Sequence, residues 1–175
     1  MNFDHTHKKW ALAALVLSLL ATAGYFMVPA NSPASHWPRL SFGIAGTALM
    51  GFAGLLPFAK RFAKWKIVKL QTMQKGHIWL GLVAFPLVLF HSGFRVGGLL
   101  SAALLIVLGA IFVTGVLGLL FQHLLPLCKA GKEGKSKLAA SIISGSHELT
   151  VHLHVPLAVS LLVLLVSHAV MSMFF

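Results

Sequence analysis

Five apolar stretches, near residues 10–29, 40–58, 76–96, 99–125 and 149–174, constrain this chain more than any other feature. Crossing about 30 Å of hydrocarbon takes roughly 20 helical residues, and each stretch is close to that length or beyond it. Of the 175 residues, 58% are hydrophobic and only 10% are charged. A soluble domain carries about 25% charged residues. No apolar–polar alternation suggests strands, and an open sheet cannot satisfy its edges in lipid. The expected fold is an all-α integral membrane protein with five transmembrane helices, forming a single domain over residues 1–175.

The formal net charge of +11 is read as topology. Lys8 and Lys9 precede the first stretch. Lys60, Arg61, Lys64, Lys66, Lys69 and Lys75 lie between the second and third, and Lys129, Lys132, Lys135 and Lys137 between the fourth and fifth. The alternate loops hold only Arg39 and Arg95. Basic residues accumulate on the cytoplasmic side of membrane proteins. The expected location is therefore the cell's inner membrane, with the N-terminus in the cytoplasm and the C-terminus outside. The basic face suits anionic lipid or an acidic partner. No nucleic-acid recognition motif accompanies the charge. Lys8-Lys9, the apolar run and Pro29-Ala30 have the order of a signal peptide, but the run exceeds a usual signal core and is read as a retained anchor.

Intramembrane ionisable residues are costly and mark function. His77 and His91 stand fourteen residues apart on the third stretch, and His154 and His168 fourteen apart on the fifth. Fourteen helical residues turn about 1400°, roughly 40° short of four turns, and rise about 21 Å. Each pair thus shares one helix face at two depths. Two parallel helices so arranged could clamp two haem irons, His77 with His154 nearer the cytoplasm and His91 with His168 nearer the outside. Bis-histidine ligation leaves no open coordination position, which favours electron transfer over oxygen activation. His152 lies sixteen residues before His168, about 160° away around the helix, so His154 is the expected ligand.

Neighbouring residues suit the same site. Arg95, four after His91, is expected one turn further on the same face, where it could pair with a haem propionate or snorkel to the membrane edge. Gly81, four after His77, could make room for a porphyrin. The small residues of the second stretch, from Gly43 to Gly54, allow close approach of a helix or a macrocycle. Lys60 to Lys75 interleaves basic and apolar residues as an interfacial segment does. Residues 129–137 read as a flexible connection. His5 and His7 are expected in solvent at the chain's start. The single cysteine, Cys128, excludes an internal disulfide, covalent c-type haem attachment and a multi-cysteine iron–sulfur site.

The paired histidines on the third and fifth helices resemble the di-haem core of cytochrome b and the transmembrane domain of ferric reductases and NADPH oxidases. The stretch His77 to Gly98, with its His91-Ser-Gly-Phe-Arg95 run, also looks like the b-type cytochromes of bacterial membrane redox complexes. The resemblance implies a four-helix di-haem core with two b haems as cofactors and quinone as a further candidate. The reductases and oxidases add a flavin and nicotinamide domain, whereas no Gly-rich dinucleotide fingerprint occurs here. The expectation is therefore the haem-bearing membrane subunit of an oxidoreductase complex, not a complete enzyme. It would pass electrons between a quinone pool or cytoplasmic donor and an outer redox partner such as a cytochrome. The rival readings are a histidine-based divalent metal transporter, using His152 and His154 among its ligands, and a non-redox membrane anchor.

Overall fold

Lipid offers no hydrogen bonds, so an apolar backbone must close its own within each segment. The computed structural model describes residues 5–27, 36–56, 60, 70–130 and 134–174, and these residues form helices without a strand. The helices are α1 His5–Met27, α2 His36–Gly54, α3 Leu70–Ser92, α4 Leu99–Ala130 and α5 Gly134–Phe174. Four of them contain segments long and apolar enough to cross a membrane: His7–Met27, Leu70–Ser92, Leu99–Pro126 and Ala140–Phe174. In α2 the first turn, His36-Trp37-Pro38-Arg39, is polar, and the described apolar run from Leu40 to Gly54 spans only about 22 Å.

The chain falls into two compact units, Asn2–Val96 and Gly97–Phe175. In the first, α2 runs antiparallel to α3: Phe52 lies against Gly76 near one end, Gly46 against Val88 further along, and Gly43 against His91 near the other end. Helix α1 lies parallel to α3, with Trp10 near Gly76 and Tyr25 stacked on Phe90. Ala14, Val83 and Leu87 form the core, packed by Ala21, Phe42, Leu49 and Trp79. Tyr25, Phe42, Phe90 and Phe94 form an aromatic cluster at the Ser92 end of α3.

Helix α3 begins at Leu70, six residues before the expected start at 76, and stops at Ser92, four before the expected end at 96. The stop has a local cause. Gly93 (φ 60°) and Phe94 (φ 57°) are left-handed. The Gly93 N–H donates to the Phe90 carbonyl and the Phe94 N–H to the Leu89 carbonyl, each at 3.2 Å, which is the paired-bond Schellman termination with glycine in its favoured place. Phe94 then packs edge-on against Phe90.

The second unit is a helical hairpin. Gly115 on α4 faces His154 on α5, and Gly118 faces Thr150, so the strip from 114 to 118 runs antiparallel to that from 154 to 150. Helix α5 has 41 residues, or about 60 Å, twice the thickness of a hydrocarbon core. It starts fifteen residues before the expected boundary at 149, because the polar run after Gly134 is itself helical. The flexible connection expected at 129–137 is correspondingly corrected: helix reaches Ala130 and resumes at Gly134, and 131–133 lie outside the described residues. Most of the interfacial segment expected at 60–75 is also outside them, apart from Lys60 and the start of α3.

Beyond the hairpin's inner strip, α5 exposes Val155, Val159, Leu162, Val163, Val166 and Val170, each close to half exposed or more. A helix that shows apolar residues around most of its circumference matches lipid rather than water.

Candidate haem-ligand histidines

A neutral imidazole carries one N–H and one bare nitrogen, and the hydrogen bond made by the first decides which nitrogen is left for a metal. In α3, His77 Nδ1 lies 2.8 Å from the Ala53 carbonyl oxygen. His91 Nδ1 lies 2.8 Å from the Arg39 carbonyl oxygen. A carbonyl can only accept, so in both rings Nδ1 carries the proton and Nε2 carries the lone pair. Ala53 and Arg39 are themselves fourteen residues apart on α2. The two histidines thus make the same bond to the same neighbouring helix, one spacing apart.

A helix residue's carbonyl normally accepts from the N–H four residues later. Ala53 stands one residue before the end of α2 at Gly54, so no residue of the helix lies four positions on to occupy its carbonyl. For Arg39 that residue is Gly43. A methyl at Gly43 would lie 2.6 Å from His91 Nδ1, so only glycine lets the imidazole settle over this turn.

In the second unit, His154 Nδ1 lies 2.9 Å from Thr114 Oγ1. His154 is half-buried against α4, whereas the His152 side chain is 75% exposed and pairs with Glu148 at 3.9 Å. The two residues point to different surroundings, in keeping with their angular separation on the helix. His168 is half-buried one fourteen-residue step along α5, with Leu161 buried midway on the same stripe. It makes no hydrogen bond among the described residues.

The auxiliary residues are placed less uniformly. A methyl on Gly81 would meet nothing within 4 Å, so space is open beside α3 one turn from His77. Arg95 is exposed and does not continue the face of His91, which corrects the expected register. The left-handed pair Gly93-Phe94 turns the chain before Arg95 is reached, and the Arg95 N–H closes back on the Ser92 carbonyl at 3.1 Å. Lys75 is buried at 9% exposure. His7, expected in solvent, is only 2% exposed: its Nδ1 accepts from Trp79 Nε1 at 3.4 Å, because α1 begins at His5 and carries His7 against α3.

No family model, curated protein or solved structure matches the chain.

The ring orientation of His77 and His91 suits a metal ligand: a carbonyl oxygen faces Nδ1 of each, which in a neutral ring leaves Nε2 as the atom that would bind iron. His91 makes no further hydrogen bond among the described residues. By contrast, no group of three or more His, Cys, Asp or Glu side chains gathers into a metal site among the described residues.

Sequence reading does not find the acceptors. Ala53 and Arg39 act through their backbone, which every residue type offers. Thr114 is one hydroxyl residue within a long apolar helix. The available signal is Gly43, four residues after Arg39.

Proposed function

We propose that this chain is a transmembrane electron-transfer subunit carrying two b-type haems, each held by a pair of histidines. What supports the reading most is the repeated bond of His77 and His91 to the α2 carbonyls of Ala53 and Arg39. Two imidazoles fixed in the same tautomer, one fourteen-residue step apart, are two equivalent ligand positions at two depths. The assignment of His154 to the haem of His77, and of His168 to that of His91, comes from the matched spacing on α5. Bound haem supplies one-electron exchange between ferric and ferrous iron. The protein's contribution is to hold the imidazoles, exclude water with apolar helix and set the depth of each site.

In this reading α2 completes the membrane crossing between α1 and α3, and the basic segments face the cytoplasm of a cell's inner membrane. Electrons pass between a quinone pool or cytoplasmic donor and an outer redox partner such as a cytochrome. Arg95 stands on the outer side, where it is available to a propionate or to that partner.

The chain reconstituted with haem into vesicles is expected to carry electrons from an external reductant to ferricyanide sealed inside. Loss of ferricyanide absorbance should require the chain, and should disappear when His77 and His91 are both replaced by alanine. An equal rate in protein-free vesicles or in the double variant contradicts the proposal.

A further inference from the structure

Resting on that reading, we infer that Thr114 is a positioning residue that fixes the tautomer of His154 and lowers the reduction potential of the haem that His154 ligates. A threonine hydroxyl has one proton to donate and two lone pairs to accept with. Thr114 Oγ1 lies 2.9 Å from the Ala110 carbonyl oxygen and 3.0 Å from that of Ile111. Both oxygens can only accept, so the hydroxyl proton is committed to the helix's own backbone. The remaining contact, 2.9 Å to His154 Nδ1, must then be filled by the ring N–H. The imidazole is held with Nδ1 protonated and Nε2 bare.

Gly115 reinforces this placement. A Cβ there would stand 3.6 Å from His154 Cε1, an ordinary contact that brings the ring close over the α4 backbone. At Nδ1, His154 faces a side-chain hydroxyl, whereas His77 and His91 face backbone carbonyls. Its orientation is therefore the one that a single substitution removes while every backbone carbonyl stays in place.

The electronic consequence has a definite sign. An N–H donated to an oxygen leaves more electron density on the opposite ring nitrogen and makes it a more basic ligand. A more basic ligand favours ferric over ferrous iron, so the hydrogen bond lowers the potential. Removing the acceptor should raise it.

The test is redox potentiometry of the haem-loaded protein, followed by visible absorption, with electron paramagnetic resonance of the ferric form. Thr114→Val keeps the shape and deletes the acceptor, and Thr114→Ser keeps the acceptor. With two haems retained, the valine variant should shift one midpoint potential in the positive direction, move one ferric signal and leave the other haem unchanged. The serine variant should stay at the wild-type values. Loss of one haem in the valine variant with retention of both in the serine variant supports the same role. If the valine variant binds no haem, Thr114→Ala is measured in its place with the same expectation. Unmoved potentials and signals in the valine variant overturn the inference, as does an equal shift in the serine variant. A wild-type chain that binds no haem overturns the parent reading instead, so the two failures are distinguishable.

Discussion

His91→Ala is expected to halve the haem content of the purified chain, removing one haem and leaving the other with its low-spin spectrum. The substitution deletes an axial ligand, and a methyl cannot replace an imidazole nitrogen on iron. The cost to the fold should be small. The Arg39 carbonyl, which accepts the His91 N–H at 2.8 Å, keeps its place within α2 and can still accept from the Gly43 N–H. His77→Ala should remove the other haem by the same logic. His152→Ala provides the contrast, because that side chain is 75% exposed and stands 3.9 Å from Glu148 in an open i,i+4 pair. Both haems should survive it. Haem extracted and counted per polypeptide checks all three variants. Unchanged haem in His91→Ala rejects the ligand assignment, and equal loss in His152→Ala rejects its specificity.

Two glycines on the same helix should respond to one added methyl with opposite signs. At Gly43 the methyl would stand 2.6 Å from His91 Nδ1 and 2.9 Å from Cγ and Cε1, closer than carbon approaches these atoms in folded proteins. The ring is held by the Arg39 carbonyl and cannot withdraw without breaking that bond. Overpacking of this kind costs about 1–3 kcal/mol. Gly43→Ala should therefore destabilise the protein and weaken retention of the haem held by His91. At Gly51 a methyl meets nothing within 4 Å. Gly51→Ala should gain about 0.5–1 kcal/mol from the smaller entropy lost on forming helix. Thermal unfolding in detergent, with haem counted after gel filtration, separates the two. Equal behaviour of both variants would mean that Gly43 is ordinary helix packing and that His91 does not depend on it.

Much of this arrangement is legible in the residues themselves. Apolar stretches without alternation dictate helices, and fourteen-residue spacing dictates a shared face. The angular argument that separates His154 from His152 corresponds to the half-buried position of one and the exposure of the other. Helix ends are less legible, because hydropathy marks where lipid stops and not where the backbone stops coiling. Helix α5 begins at Gly134 for that reason. Arg95 shows the opposite effect: the apolar pattern continues toward it, but Gly93 and Phe94 adopt left-handed backbone and end the helix first. The brevity of the described apolar part of α2 follows from its polar first turn, which reads as a loop in sequence but is helical. His7 is close to the start of the chain, yet α1 carries it against Trp79. Least legible are the carbonyls that orient His77 and His91. Their selection depends on the register between α2 and α3, which no residue type announces.

The most direct test of the central claim is a reduced-minus-oxidised absorption spectrum of the purified full chain, with non-covalent haem extracted and counted. The account predicts low-spin b-type bands and two haems per polypeptide. A chain expressed with ample haem that shows no such bands and yields no extractable haem would contradict it.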